Sequence, residues 1–381
     1  MGGGKCALEK MVAMGKDAMF GGVYAGRRVL ITGHTGFKGS WLSQWLLRLG
    51  AEVAGYSLYL PSQPANYQVL GLGERMDDNT GDIRDMAQLE KIIGEFQPEI
   101  VFHLAAQAIV RASYDDPKAT FDTNIGGTVN VLECIRNAPS VQAAVFITSD
   151  KCYENVEWEY GYREVDRLGG KDPYSASKAC AEIAISAYMR SFFSHSGKKV
   201  ASTRAGNVIG GGDWAKDRIV ADCARSWAEN RVLTVRNPRA TRPWQHVLEP
   251  LGGYLWLGAK LMRDEHGVTN ESFNFGPRAE VNQPVSVLID EMAKTWPRAG
   301  WISEADDSNK AEAGLLKLSC DKALHRLGWQ AVLSFEETVR MTAEWYRAYY
   351  EGNQDMRQFT ETQIDAYERL AGERGGTWAK S

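Results

Sequence analysis

A doubly wound, parallel α/β sheet with a smaller, interwoven carboxyl-terminal domain is the fold this 381-residue sequence predicts. Three observations carry that expectation. Short apolar runs alternate with helix-length amphipathic segments, a glycine-spaced turn joins the first run to the first helix, and polar residues gather where later runs end. Buried strands of parallel sheets read as near-continuous apolar runs, and ligands bind at their carboxyl ends. The chain is long enough for a large core shared by two closely joined domains.

Arg28-Val29-Leu30-Ile31-Thr32 is the first strand-like run. It leads into Gly33-His34-Thr35-Gly36-Phe37-Lys38-Gly39 and then a helix in which Trp41, Trp45 and Leu49 recur at helical spacing beside Leu42 and Leu46. Glycines at 33, 36 and 39 permit a tight turn, close approach of backbone N–H groups to a pyrophosphate, and close helix-to-strand packing. A glycine triplet alone is a weak signal; strand, glycine turn and helix in this order make it a strong one, against an ordinary strand-to-helix loop. Further runs follow at 51–56, 100–104, 145–148 and 200–203, with helices expected around 85–96, 118–137 and 174–194 and another near 333–350 packing on the smaller domain. Asp82, in Gly81-Asp82-Ile83-Arg84-Asp85, can meet an adenine amine or simply form a turn and helix cap, two readings of equal weight. The second strand ends in Tyr56-Ser57-Leu58-Tyr59, without the acidic residue that usually holds the ribose diol of NAD. No arginine follows to receive a 2′-phosphate, so NAD stays ahead of NADP.

The chemistry lies in the middle of the chain. Ser149-Asp150-Lys151 closes the apolar run ending at Thr148, and Tyr174-Ser175-Ala176-Ser177-Lys178 opens the next helical segment. Asp172-Pro173 reads as an N-cap followed by the favoured first helical residue, which sets Tyr174 in the first turn and Lys178 one turn later on the same face. A phenol, an ammonium and the upstream Ser149 hydroxyl form a proton relay. Tyrosine and lysine four apart also occur by chance on solvated helices, so context carries this reading. The adjoining acid and amine, Asp150 and Lys151, add two proton-transfer groups and point to oxidation followed by elimination.

Composition excludes several rivals. Lys and Arg total 44 against 48 Asp and Glu, a formal charge of −4 with no polyanion-binding signature, so no nucleic acid is expected. Cys6, Cys134, Cys152, Cys180, Cys223 and Cys320 are scattered, which favours reduced thiols in a cytoplasm and no metal site. Cys152 beside Lys151 reads as a buried structural thiol. No apolar run reaches membrane-spanning length and the amino terminus lacks a signal-peptide pattern.

The strings at 32–42 and 204–214, with His103-Leu104-Ala105-Ala106-Gln107, Ser149-Asp150-Lys151, Tyr174 and Lys178, and Arg242-Pro243-Trp244-Gln245-His246-Val247, resemble the extended short-chain dehydrogenase/reductase family. The match spans roughly residues 20–350 and is similar to its sugar-nucleotide dehydratases, in particular the CDP-glucose branch, where a lysine stands at the position of Lys151 in place of a glutamate. The resemblance implies a Rossmann-type fold, bound NAD and a CDP-glucose substrate. Ser149, Asp150, Lys151, Tyr174 and Lys178 are then the catalytic set. Gly33, His34, Gly36, Phe37, Gly39, Asp82, Ile83, Leu104, Ala105 and Ala106, with Tyr174 and Lys178, are the cofactor set. Gln107, Asn207, Arg242 and His246 are the substrate set, although His246, like His103, reads first as a hydrogen-bonded structural residue. A homodimer or homotetramer is expected. Residues 1–18 have no counterpart in the pattern and are expected to be a disordered or expression-derived extension before a natural start at Met19. Residues 19–204 then form the NAD-binding domain, with part of 243–275 returning to it, 205–355 mainly the nucleotide-sugar domain, and 356–381 a tail. A 4-epimerase, a dehydratase of another nucleotide sugar, or a noncatalytic dinucleotide-sensing module are the alternatives. The first has no need of an acid for a 6-hydroxyl, and the last no need of the relay.

Overall fold

The computed structural model describes residues 19–215, 218–278, 281–304 and 315–380; the proposed extension at 1–18 lies outside them. Its centre is a seven-stranded sheet, parallel throughout. In chain order its strands are β1 (Arg28–Thr32), β2 (Glu52–Ser57), β3 (Asp77–Thr80), β4 (Ile100–His103), β5 (Ala143–Ile147), β6 (Lys199–Arg204) and β7 (Glu271–Asn274). In space they run β7-β6-β5-β4-β1-β2-β3. The order reverses between β1 and β4, and the crevice at that reversal is where such sheets bind ligands. The doubly wound fold read from the sequence is therefore borne out.

The helices that matter for the site are α1 (Phe37–Arg48), α2 (Met86–Phe96), α3 (Thr128–Asn137), α4 (Pro173–Ser191), α5 (Leu248–Met262), α6 (Phe335–Glu351) and α7 (Met356–Glu373). Two apolar layers follow from strand alternation. Val29, Ile31, Val53 and Phe102 pack toward Trp41, Trp45 and α5 on one face. Leu30, Ala54, Val101 and Phe146 pack toward Leu89, Leu132 and Ile185 on the other. The segment expected as one helix at 118–137 is interrupted by a π-helical stretch, Asp122–Gly127, that brings Asn124 inward.

Strand β3 had no signal in the sequence. Its residues, Asp-Asp-Asn-Thr, carry no apolar alternation because the strand lies at the sheet edge, mostly exposed. Beyond Arg204 the chain forms short strand pairs, among them Gln245–His246 beside Val208–Ile209, and returns to the sheet as β7. Residues 356–381, read as a tail, hold helix α7. Tyr367 on that helix and Trp378 beyond it are fully buried and pack on Trp45 and Phe20. Their apolar positions are spread through a polar sequence, and only the aromatic surface of α1 reveals what they cover.

Candidate active site

The glycine turn sits at the carboxyl end of β1. Gly33 takes φ +80°, and a Cβ there would stand 2.7 Å from the Ala105 backbone nitrogen. A Cβ at Gly39 would run into the Gly33 carbonyl oxygen, so α1 reaches the strand only because residue 39 has no side chain. Gly36 is the N-cap of α1 and offers no side-chain cap, which leaves the first-turn N–H groups without partners from the helix. Free N–H groups at a helix start, above a cradle shaped by missing side chains, fit a dinucleotide pyrophosphate. Leu104, Ala105 and Ala106 follow β4 alongside this cradle, half-buried, with Ala105 N–H donating to Thr32 Oγ1 at 3.3 Å.

Two sheet positions further, α4 starts as its sequence dictates. Asp172 caps it, its carboxylate accepting from Ser175 N at 2.9 Å and Ser175 Oγ at 2.6 Å, and Pro173 fills the first turn. Tyr174 and Lys178 are thereby held on one buried face, 8% and 6% exposed. Burial pushes the Tyr174 phenol up to about 12, Asp150 adding to the rise and the hydrogen bond with Ser149 opposing it. Burial pushes the Lys178 ammonium down to about 8, with Glu182 the largest influence holding it up. A phenol that resists ionisation beside an ammonium still charged at neutral pH needs one further positive charge to become a base.

Ser149, Asp150 and Lys151 sit where β5 ends, in a tight turn in which Ser149 Oγ accepts from Lys151 N–H at 3.2 Å. Ser149 Oγ donates to Asp150 Oδ1 at 3.0 Å, and Asn207 Nδ2 donates to Asp150 Oδ2 at 3.2 Å. Lys151 is half-buried. The Ser149 hydroxyl, the Asp150 carboxylate, the Tyr174 phenol and the Lys178 ammonium thus come together near Lys38 of the glycine turn.

The other expected site residues divide. Phe37 packs near Gly210, tying the glycine turn to the carboxyl-terminal half. Asp82 accepts from both Nε and Nη2 of Arg84, which lowers its carboxyl below the usual range, while Ile83 is buried against Gly127. Arg242 is half-buried, with Nη1 donating to its neighbour's carbonyl, Thr241 O. Three of the expected residues turn their side chains into the scaffold. The His34 ring is fully buried against Gly55, bonded to Asp78 at 2.8 Å and Ser57 at 2.9 Å, so only its backbone can face a cofactor. His246 is also fully buried, edge-on to Trp41, with Nδ1 accepting from Leu248 N–H; burial drives it to about 3 and keeps it neutral. Gln107 spends its side chain inside the fold, donating to Thr120 Oγ1 and accepting from Ile109 N–H. In each case the polar side chain fills a hydrogen-bonding need of the scaffold.

Several residues at the site were not anticipated. Lys38, inside the glycine turn, lies within electrostatic reach of Asp150, Lys178, Arg218 and Asp213, and burial lowers it to about 8. Glu182 lies behind Lys178 and is fully desolvated; it accepts from Thr148 Oγ1 at 2.5 Å, Ser202 Oγ at 3.0 Å and Arg204 Nη2 at 2.7 Å. Arg204 in turn donates to Tyr153. The i, i+4 spacing of Lys178 and Glu182 was the available signal for the second.

Residues 30–342 match the model of a family described as GDP-mannose 4,6 dehydratase. The chain is 46% identical over 350 residues, 90% of its own length and 97% of the relative's, to the CDP-glucose 4,6-dehydratase of Salmonella typhimurium. It is 26% identical over 335 residues to a probable dTDP-glucose 4,6-dehydratase of Sinorhizobium fredii, covering 84% of this chain and 92% of that one. Among solved structures, the UDP-glucose 4-epimerase of Thermus thermophilus, a complex with NAD, superposes with a TM-score of 0.72 at 26% identity over 84% of this chain and 99% of that one. The dTDP-glucose 4,6-dehydratase of Bacillus anthracis shares the fold, with a TM-score of 0.71 at 19% identity over 86% and 98% of the two chains.

Proposed function

The chain belongs to the GDP-mannose 4,6 dehydratase family, and on that premise we propose that it is an NAD-dependent dehydratase converting CDP-glucose to CDP-4-keto-6-deoxyglucose, a step of deoxysugar synthesis. The observation that carries the reading is the convergence of Asp150 with Ser149, Tyr174 and Lys178, with Lys151 next to Asp150 in the same turn. The near-complete overlap with the Salmonella typhimurium relative supports the CDP-sugar assignment over a dTDP-sugar or an epimerase. No helix among the described residues is long and apolar enough to cross a membrane.

When bound in the glycine cradle, NAD supplies a hydride acceptor for sugar C4, a donor for C6, and the positive charge the phenol lacks. Tyr174 takes the proton of the 4-hydroxyl, and Ser149 bridges that hydroxyl and the phenol. Lys178 stabilises the phenolate form that accepts this proton. The 4-ketone acidifies the C5 proton. Lys151 takes that proton or polarises its loss, the C5–H pair becomes the C5–C6 double bond, and the C6–O bond breaks. Asp150 delivers the proton that lets the 6-oxygen leave as water. Return of the hydride to C6, with a proton returned to C5, would complete the 4-keto-6-deoxy sugar, so the reaction loses water without net redox change. Arg242 is the residue proposed to meet the diphosphate by charge-assisted hydrogen bonds.

The test is to incubate the protein and NAD separately with CDP-, dTDP-, GDP- and UDP-glucose and read the products by mass. Loss of one water from CDP-glucose, in preference to the others, is expected; unchanged CDP-glucose with folded, NAD-supplied protein overturns the assignment.

A further inference from the structure

The loop after β6 is built around the Asp150 carboxylate. Gly206 has no room for a side chain, because a Cβ there would collide with both carboxylate oxygens of Asp150. Asn207 adopts φ +53°, the left-handed conformation that asparagine tolerates better than most residues, and from there its Nδ2 donates to Asp150 Oδ2 at 3.2 Å. A single buried residue pins both positions. Gln245, 1% exposed, donates from Nε2 to the Gly206 carbonyl at 2.9 Å and to the Phe275 carbonyl at 3.1 Å, and from its backbone N–H to the Asn207 carbonyl at 3.1 Å. On the opposite side Ser149 Oγ reaches Asp150 Oδ1.

We propose that Asn207, locked by Gln245, is a positioning residue for Asp150: it fixes which carboxylate oxygen faces the departing 6-hydroxyl, rather than serving chiefly as a substrate contact. The inference rests on the role proposed above for Asp150. With Oδ2 held by the amide, the carboxyl cannot rotate freely, and the oxygen shared with Ser149 stays on the side of the relay. Gln245, which sits in the carboxyl-terminal half, thereby couples that half to the elimination step without touching the sugar. A displacement of a catalytic group by about 1 Å can cost on the order of a hundredfold in rate, so the loss of this bond falls on the step Asp150 serves.

Two variants test it in the NAD-supplied protein with CDP-glucose. Asn207→Gly removes the amide and accepts the positive φ, and Asn207→Asp puts a second carboxylate opposite Oδ2 with little change in shape. If Asn207→Asp fails to fold, Asn207→Gly carries the test. Each is expected to lower kcat by roughly tenfold to a hundredfold with KM nearly unchanged. Reduced-nicotinamide absorbance should accumulate in single turnovers, because hydride transfer continues while elimination stalls. In an Asp150→Asn background, Asn207→Gly should add little further loss, since the two residues act as one unit. A raised KM with kcat intact would make Asn207 a substrate contact and overturn the proposal. So would multiplicative losses in the double variant, or wild-type kinetics in Asn207→Gly. Wild-type protein that leaves CDP-glucose unchanged would overturn the reading of function first, and this inference with it.

Discussion

Glu182→Gln separates the two jobs that the buried acid performs behind Lys178. The carboxylate is fully desolvated and balances Arg204 at 2.7 Å while accepting from Thr148 and Ser202. Removing one charge of a buried pair typically costs about 3–5 kcal/mol, because the partner is left uncompensated. The urea midpoint of the variant should fall accordingly. The same carboxylate is the largest influence holding up the Lys178 ammonium, which burial has already brought to about 8. Residues four apart on a helix stand roughly 6 Å from each other, and at an effective dielectric of about 20 a unit charge there is worth roughly 3 kcal/mol, or about two pKa units. The direction follows from charge: without Glu182, Lys178 loses its proton at lower pH. The alkaline limb of kcat/KM, which reports the free enzyme, should therefore move from about pH 8 toward neutrality or below, with activity recovered as the pH is lowered. Initial rates across pH at saturating NAD, with the folded fraction checked by circular dichroism at each point, measure it. An alkaline limb superimposable on that of the wild type in a folded variant would refute the coupling of Glu182 to Lys178.

Gly39→Ala should raise the dissociation constant for NAD by on the order of tenfold or more, since the added methyl meets the Gly33 carbonyl and forces the cradle open; titration calorimetry checks it. Tyr174→Phe should slow turnover by about a hundred- to ten-thousand-fold while leaving CDP-glucose binding in place, as steady-state rates and equilibrium binding can compare. Glu249, buried in α5, accepts from Val332 N, Leu333 N and the Tyr367 hydroxyl, and burial raises its carboxyl to about 7. The folded protein thus holds this proton more tightly than the unfolded chain, and stability declines as pH rises from the ordinary carboxylate value of 4.5 to about 7. Glu249→Gln should flatten that decline, worth up to about 3 kcal/mol, in thermal melts compared across this window.

The parts of the site that were legible in the sequence are the local ones. Gly33, Gly36 and Gly39 lie within one turn, Tyr174 and Lys178 within one helix start, and Ser149 to Lys151 at one strand end, so spacing alone fixes their relations. What was not legible depends on contacts between distant segments. Asn207 finds Asp150 across 57 positions, and Glu182 owes its burial to β5 and β6. His246 reads first as a structural residue and His34 as a cofactor contact, and Trp41 and Gly55 leave each a space that a hydrogen-bonded ring fills. Strand β3 escaped notice because an edge strand with exposed Asp and Asn residues has no apolar signature, and the last helix because its partner aromatics lie more than 300 residues earlier.

The most direct test of oxidation followed by elimination is the fate of hydrogen at sugar C4. CDP-glucose carrying deuterium at C4, incubated with the protein and unlabelled NAD, should yield a 4-keto-6-deoxy product with that deuterium in the C6 methyl group, as read by NMR and mass. Deuterium remaining at C4, lost to solvent, or transferred to free cofactor in proportion to turnover would contradict the account.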